Sequence, residues 1–179
     1  MIFDMDGLLL DSEPFWKEAE IKVFNEIGVP LTSEMCDATV GIRVEEVTAH
    51  WHKIYEWDEG KQGNSIIEVS TKVIDEVIRL IIEKAVPFDG VNYIIDFFKT
   101  RNIKTAIASS SSMRIINAVI EKFSIKDKFE VIHSAEHESS GKPDPAVYLS
   151  TAKLLGELPE FCLAFSPPFT CCVATLPEH

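Results

Sequence analysis

The amino-acid sequence predicts an α/β protein: a three-layer α/β/α doubly wound parallel sheet with a helical domain inserted after its first strand. A short apolar strand at the N-terminus ends in Asp4-Met5-Asp6-Gly7, two aspartates followed by a glycine that permits a sharp turn. Helical periodicity then fills residues 14–86. Beyond residue 87, helix and strand patterns alternate, which is typical of a parallel sheet. We therefore expect a core of residues 1–13 and 87–179 and a helical domain of residues 14–86.

The inserted region is predicted to be a small helical bundle. Apolar residues recur at helical spacing in its first segment, where Ser12 is expected to cap the helix and Gly28 to end it. Helices are predicted at residues 13–27, in a short piece after residue 30, at residues 44–57 and at residues 65–85. The glycine-containing segment 60–64 is expected to be a flexible loop.

The second half of the chain carries the signals of the remaining sheet. Helices are predicted at residues 91–101, 113–123 and 145–155, and strands at residues 103–108, 129–132 and 161–165. Open α/β sheets bind ligands beyond the carboxyl ends of their strands. Polar residues that follow these strands are therefore candidates for a functional site.

Composition limits the classes of partner. Of the 179 residues, 46% are hydrophobic and 26% are charged, which is ordinary for a globular protein. The 17 basic and 29 acidic residues give a net charge of −12, which argues against a nucleic-acid partner but not against a small phosphate ester. There is no apolar run of membrane-spanning length and no signal peptide, so we expect a cytoplasmic protein with no membrane partner. We also expect a monomer.

The cysteines and histidines give no metal signal. Cys36, Cys162, Cys171 and Cys172 lack C-x-x-C spacing and paired histidines, so reduced thiols are expected instead of a zinc site or disulfides. The five histidines have no ligand-like partner at a useful spacing and are interpreted as structural or solvated.

Asp4 and Asp6 are the strongest chemical signal in the chain. Residues two apart on a strand point to the same side, so both carboxylates face one spot beyond the strand end. Two acids held together repel each other unless a cation or a proton lies between them, which implies a metal or a split of pKa values. The pattern fits a nucleophile beside an acid, and the alternative is a strand that ends in a solvated acidic turn.

Two later segments could bind phosphate. Ser109-Ser110-Ser111-Ser112 follows a predicted strand and precedes a helix, so it could cradle a phosphate or form an ordinary serine-rich N-cap. Lys142 directly precedes Pro143-Asp144-Pro145, whose prolines restrict the backbone and would hold the lysine in place. An ordinary surface lysine is the alternative.

These segments resemble the motifs of the haloacid dehalogenase-like (HAD) hydrolases. Phe3-Asp4-Met5-Asp6-Gly7 with Asp11-Ser12-Glu13-Pro14 resembles the first motif, in the branch that holds β-phosphoglucomutase and the 2-deoxyglucose-6-phosphatase or hexitol-phosphatase enzymes. Ser109, assisted by the Ser110 backbone amide, resembles the second motif, and Lys142 resembles the third.

One segment of the helical region resembles the substrate loop of this branch. It reads Thr39-Val40-Gly41-Ile42-Arg43 and precedes a predicted helix. Arg43 is therefore a candidate substrate contact, and an ordinary exposed arginine is the alternative.

The resemblance implies a Rossmann-like core with a mobile helical cap at residues 14–86, and a magnesium-dependent phosphatase that acts on a small sugar or polyol phosphate. It implies that Asp4 attacks phosphorus to form an aspartyl-phosphate, while Asp6 protonates the leaving oxygen and then activates water. Lys142 would neutralise charge on the nucleophile and the phosphoryl group. Mg²⁺ would be held by the Asp4 carboxylate and the Asp6 backbone carbonyl.

Two alternatives stay open. A phosphomutase is one, although the β-phosphoglucomutase pattern has a histidine where Trp16 stands, and tryptophan cannot shuttle protons. The other is a degenerate domain that only binds phosphate or a protein partner. The family has an acidic pair after the strand at 161–165, whereas the segment Ser166-Pro167-Pro168-Phe169-Thr170 contains no carboxylate. Residues 172–178 then look like the family's next strand and loop.

Overall fold

A computed structural model describes residues 1–61 and 63–167 of the chain. The chain divides into two compact units. The first unit combines Met1–Asp11 with the chain from Ala85 onward, and the second is Ser12–Lys84.

The described residues contain four strands and seven α-helices. The strands are β1 (Ile2–Phe3), β2 (Ala106–Ser109), β3 (Val131–Ser134) and β4 (Ala164–Phe165). The helices of the second unit are α1 (Glu13–Glu26), α2 (Ser33–Cys36), α3 (Val44–Tyr55) and α4 (Ile66–Lys84). Those of the first unit are α5 (Val91–Lys99), α6 (Met113–Lys122) and α7 (Ala146–Leu154).

All four strands are parallel and lie in the order β3-β2-β1-β4. The chain runs from β1 outward through β2 to β3, and then returns to place β4 on the other side of β1. The strand order therefore reverses between β1 and β4. In open α/β sheets, such a reversal leaves a crevice beyond the carboxyl ends of the two strands, where ligands bind.

The sheet is covered by helices on both faces, which confirms the predicted three-layer α/β fold. On one face, the strand side chains pack against α7 and the residue that follows it; this cluster contains Ile2, Ala106, Ala108, Val147, Tyr148, Ala152 and Leu155. On the other face, the Phe3 ring lies 6.0 Å from Phe98 of α5, 6.1 Å from Phe129 and 5.6 Å from Phe165. Ile2 and Phe3 thus anchor opposite layers, because successive strand residues point to opposite faces.

The strands start later than the sequence patterns indicated. Strand β2 begins at Ala106 and not at residue 103, because the left-handed Asn102 ends the preceding turn and Ile103 is still partly exposed. The predicted strand at 161–165 is reduced to Ala164–Phe165, since Pro159–Phe161 forms a 3₁₀ turn. The strand suggested by resemblance at residues 172–178 lies outside the described residues.

The helices of the second unit match the predicted spacing, with one error at a cap. Helix α4 buries the apolar stripe that contains Val69, Val73 and Val77. Ser12 lies at the N-cap position of α1, but its hydroxyl makes no capping hydrogen bond, so that prediction was wrong. The backbone of Ser12 is helical, at φ −90° and ψ −16°, whereas a capping residue needs an extended conformation.

None of the helices in the described part of the chain is both long enough and apolar enough to cross a membrane. Cys36 and Cys162 carry free thiols. Cys171 and Cys172 lie outside the described residues.

Two carboxylates buried in the helical unit have opposite electrostatic environments. Glu76 on α4 accepts hydrogen bonds from Arg79 and contacts Lys22, and these cations lower its pKa to about 2. Glu20 on α1 is only 7% exposed. Burial raises the pKa of Glu20 to about 7, which a hydrogen bond with Cys36 opposes and the charge of Glu13 reinforces. Glu20 is therefore close to half-protonated at neutral pH.

Glu20→Gln should stabilise the helical unit at alkaline pH. The raised pKa of Glu20 means that the folded state binds its proton more tightly, so stability falls as pH rises from about 4.5 to about 7. That interval corresponds to roughly 3 kcal/mol, so the variant should exceed the wild type by about this amount at pH 8 and match it at pH 4. Urea unfolding followed by tryptophan fluorescence measures this, because Trp16, Trp51 and Trp57 all lie in this unit.

The control is Glu26→Gln, which changes an exposed carboxylate on the same helix. It should not alter the dependence of stability on pH by more than about 0.5 kcal/mol. If Glu20→Gln and Glu26→Gln had the same pH dependence, the raised pKa of Glu20 would be wrong.

Candidate active site

Asp4 and Asp6 lie directly after β1, at the carboxyl edge of the sheet where the strand order reverses. Asp4 is 1% exposed, and its Oδ1 accepts a hydrogen bond of 2.8 Å from the Met5 backbone N–H. Asp6 is partly exposed. The first strand therefore places one buried and one accessible carboxylate at the same edge of the sheet.

Gly7 makes this turn possible for two reasons. Its φ is +72°, a left-handed conformation that side chains disfavour. A Cβ at this position would also lie 2.9 Å from Cγ of Pro167, which follows β4. The glycine thus allows the segments after β1 and β4 to approach each other closely.

Lys142 forms a buried ion pair with Asp4. Its Nζ lies 2.5 Å from Asp4 Oδ2, and the two side chains are 5% and 2% exposed. The same oxygen accepts a 2.9 Å hydrogen bond from the hydroxyl of Ser166, directly after β4. The Lys142 ammonium also lies 5.3 Å from the centre of the Tyr148 ring, within the range of a cation–π contact. The lysine is therefore held inside the site and is not a surface side chain.

Burial and pairing act in opposite directions on the pKa values of this pair. Burial raises the pKa of Asp4, and the attraction of Lys142 offsets part of that effect. Burial lowers the pKa of Lys142, but Asp4 and Tyr148 outweigh it, so the net pKa is raised. Lys142 consequently keeps its proton at neutral pH and supplies the positive charge that the buried carboxylate requires.

Two serine hydroxyls converge on Asp6. Ser109 at the end of β2 donates to Asp6 Oδ2 at 3.0 Å, and Ser111 donates to the same oxygen at 2.9 Å. The backbone N–H of Ser111 also donates to Ser109 Oγ at 3.0 Å. Both hydroxyls are thus committed to the Asp6 carboxylate, which fixes one of its oxygens and leaves the group oriented in the site.

The loop after β2 is not an ordinary serine N-cap. Ser112 occupies the N-cap position of α6, but its side chain makes no capping hydrogen bond. The Met113 N–H at the start of that helix donates instead to the Glu136 carboxylate, at 3.0 Å. The predicted role of the Ser110 amide in phosphate binding stays a prediction.

The structure adds four residues that the sequence patterns did not single out: Ser111, Ser134, Tyr148 and Ser166. Ser111 could have been found, because it belongs to the serine run that follows the predicted strand. Ser166 directly follows a predicted strand. Ser134 and Tyr148 carry no comparable local signal, since their positions depend on how distant segments pack.

Arg43 belongs to the second unit, where it is half-buried and directly precedes α3. Its predicted contact with substrate stays a prediction, as does the predicted function of the second unit as a cap.

Asp4 and Asp6 are the groups that could hold a divalent cation. Within residues 1–61 and 63–167, no group of three or more His, Cys, Asp or Glu side chains is placed to hold a metal ion. Mg²⁺ usually needs fewer protein ligands than three, because it keeps several waters and binds through one or two carboxylates and a substrate phosphate. The oxygen donors of Asp4 and Asp6 therefore fit a Mg²⁺ ion that is held by few protein ligands.

Comparison with known proteins gives consistent matches. The family model for haloacid dehalogenase-like hydrolases matches residues 1–162. Hexitol phosphatase B of Escherichia coli (strain K12) is 36% identical over 165 residues, which cover 91% of this chain and 72% of that protein. The phosphorylated carbohydrates phosphatase of Thermotoga maritima is 28% identical over 165 residues, which cover 92% of this chain and 74% of that protein.

A solved structure extends the likeness to the fold. The crystal structure of β-phosphoglucomutase from Clostridium difficile matches with a TM-score of 0.77 at 23% identity. The match covers 92% of this chain and 74% of that chain. At this identity, the likeness concerns the fold alone.

The Asp4–Lys142 pair should show strong energetic coupling. Lys142→Met leaves a buried carboxylate without its cation, and Asp4→Asn leaves a buried ammonium, so each should cost roughly 3–5 kcal/mol of folding stability. The double variant should cost less than the sum of the two, because it removes both charges. A double-mutant cycle measured by urea unfolding gives the coupling free energy.

An equivalent cycle on the exposed ion pair of Lys104 and Glu157 is the control, and we expect coupling below about 1 kcal/mol there. A similarly small coupling between Asp4 and Lys142 would contradict the buried ion pair.

Proposed function

The chain belongs to the haloacid dehalogenase-like hydrolase family, and from this premise we propose that it is a magnesium-dependent phosphatase of a small sugar or polyol phosphate. The observation that carries the proposal is the pairing of Asp4 with Lys142 beside an Asp6 that accepts hydrogen bonds from Ser109 and Ser111. One carboxylate is buried with a cation, and the other is accessible and oriented. Phosphoryl transfer through a carboxylate needs these two roles.

In the first step, a carboxylate oxygen of Asp4 attacks phosphorus and the bond from phosphorus to the sugar oxygen breaks. The leaving oxygen takes a proton from the carboxylic acid of Asp6, so a neutral alcohol departs. Lys142 stays beside Asp4 and stabilises the negative charge of the transferring phosphoryl group. The product of this step is an aspartyl-phosphate on Asp4.

In the second step, water attacks the phosphorus of the aspartyl-phosphate and gives its proton to the Asp6 carboxylate. The bond from phosphorus to Asp4 breaks, which releases inorganic phosphate and restores both side chains. The two serine hydroxyls bound to Asp6 favour this cycle, because they hold the carboxylate in one orientation while it gives and takes a proton.

Mg²⁺ is proposed to be held by the Asp4 carboxylate and the Asp6 backbone carbonyl. When bound, it would neutralise negative charge on the substrate phosphate. The two described residues after β4, Ser166 and Pro167, supply no further carboxylate, and Ser166 donates a hydrogen bond to Asp4. We therefore expect weak binding of Mg²⁺ by the free protein.

The substrate class is proposed from the relatives. Hexitol phosphatase B and the phosphorylated carbohydrates phosphatase are both named for phosphorylated polyols or sugars. A phosphomutase is the second candidate, because β-phosphoglucomutase of Bacillus subtilis is 28% identical over 167 residues. Trp16 disfavours it, since tryptophan cannot take up and release a proton at neutral pH.

A domain that only binds phosphate or a protein partner is the non-enzyme alternative. The Ser109, Ser111 and Lys142 side chains could bind phosphate without any metal. In the structure, however, these three side chains donate hydrogen bonds to the carboxylates of Asp6 and Asp4. Carboxylates repel an anion, so a site that only binds phosphate would not need them. This observation favours the enzyme.

Incubation with hexose and hexitol monophosphates should release inorganic phosphate in the presence of Mg²⁺. Free phosphate and isomeric sugar phosphates are measured in the same samples. Isomers without phosphate release would support the phosphomutase, and neither product would support the binding domain.

Asp4→Asn should lower phosphate release by more than about 10³-fold, because the amide cannot form the covalent intermediate. Asp6→Asn should lower it by about 10²-fold, since proton transfer is lost but the nucleophile remains. Circular dichroism checks that both variants fold. Asp127→Asn, an exposed substitution in the same unit, is the control. Turnover of Asp4→Asn equal to that of Asp127→Asn would rule out the covalent mechanism.

Ser166→Asp should tighten Mg²⁺ binding by about tenfold, because it adds a carboxylate beside Asp4. Isothermal titration calorimetry with MgCl₂ measures the Kd without any turnover. Ser166→Asn is the control, because asparagine has the same shape as aspartate but no charge. Equal Kd values for the Asp and Asn variants would show that Mg²⁺ does not bind at Asp4.

A further inference from the structure

Ser134 lies at the carboxyl end of β3. Its side chain is fully buried, and its hydroxyl donates a 2.7 Å hydrogen bond to the backbone carbonyl of Ser111. The same hydroxyl oxygen accepts the Glu136 N–H at 3.1 Å. The Ser134 hydroxyl thus both donates and accepts a hydrogen bond, and it donates to the loop that follows β2.

The backbone of Ser111 is held on both sides by this arrangement. Its N–H donates to Ser109 Oγ, and its carbonyl accepts from Ser134. Ser109 and Ser134 are directly paired in the parallel register of β2 and β3. The Ser111 hydroxyl, whose position follows from this backbone, donates to Asp6 Oδ2.

Glu136 adds a second attachment of the same loop. Its carboxylate accepts from the N–H of Met113 at 3.0 Å, where α6 begins. The turn after β3 is thus tied to the loop after β2 at two points, through Ser134 to Ser111 and through Glu136 to Met113. The loop that carries the two hydroxyls is therefore positioned by β3 as well as by β2.

We propose that Ser134 is a positioning residue for Asp6, which it orients by fixing the Ser111 backbone and thereby the hydroxyl that binds Asp6 Oδ2. The proposal rests on the phosphatase function proposed above. Without the Ser134 hydroxyl, the buried carbonyl of Ser111 loses its hydrogen-bond donor, and the loop moves to recover one. Asp6 then loses one of its two hydroxyl contacts and is less well placed to protonate the leaving oxygen.

The test compares kcat/KM of Ser134→Ala and wild type on two classes of phosphate ester. A polyol phosphate has a poor leaving group that needs the proton of Asp6, whereas p-nitrophenyl phosphate leaves as a stable anion. We expect kcat/KM of Ser134→Ala to fall about tenfold on the polyol phosphate and by less than about twofold on p-nitrophenyl phosphate. A merely structural role of Ser134 would lower both values equally, and that result would overturn the proposal.

Thr105→Val is the matched control. Thr105 directly precedes β2 and is 2% exposed, and its hydroxyl donates to the Lys128 carbonyl at 2.6 Å. The variant therefore removes a buried hydroxyl bond of the same kind at the other end of the same strand. We expect the ratio of kcat/KM on the two esters to stay as in the wild type. A shift of this ratio equal to that of Ser134→Ala would also overturn the proposal.

A crystal structure of Ser134→Ala tests the proposal independently of activity. We expect the distance from the Ser111 hydroxyl to Asp6 Oδ2 to lengthen from 2.9 Å to beyond about 3.5 Å. An unchanged distance would overturn the positioning role. If wild type released phosphate from neither ester, the proposed function would fail, and the crystal structure would still decide whether Ser134 positions Asp6.

Discussion

The buried ion pair between Asp4 and Lys142 is the interaction on which the site depends. Removing a carboxylate from water is costly unless a cation and hydrogen bonds compensate for the lost hydration. Asp4 receives such contacts from the Lys142 ammonium, the Ser166 hydroxyl and the Met5 N–H. Lys142 follows Asp4 by 138 residues, so the pair forms only once the sheet has assembled. The charge balance of the site therefore depends on the correct order of the strands.

At Asp6, the accessible carboxylate, neutral hydroxyl groups take the place that a cation has at Asp4. Hydroxyls from Ser109 and Ser111 bind one oxygen and add no charge to the site. The site thus separates a carboxylate that is stabilised by a charge from one that is oriented by dipoles. That separation is what a nucleophile and a proton carrier require of neighbouring aspartates.

In the second unit too, neighbouring groups set the pKa values of buried carboxylates, and here the pKa values of two glutamates shift in opposite directions. Glu76 is buried beside Arg79 and Lys22 and has a lowered pKa, whereas burial, reinforced by the charge of Glu13, raises the pKa of Glu20. The two residues are of the same type and nearly equally buried. The neighbouring charges decide their protonation. Burial alone therefore does not predict the state of an acidic side chain in this protein.

The sequence by itself determined the α/β class. It also predicted one helical and one mixed α/β region and the candidate residues Asp4, Asp6, Ser109 and Lys142. These follow from patterns within short stretches: hydrophobic period, residues two apart at a strand end, and prolines beside a lysine. Only the tertiary structure decided which groups meet. Ser166 reaches Asp4 across 162 residues, and Ser134 reaches Ser111 across 23. No local pattern encodes such contacts, because they depend on strand order and register, which are settled when the whole sheet packs.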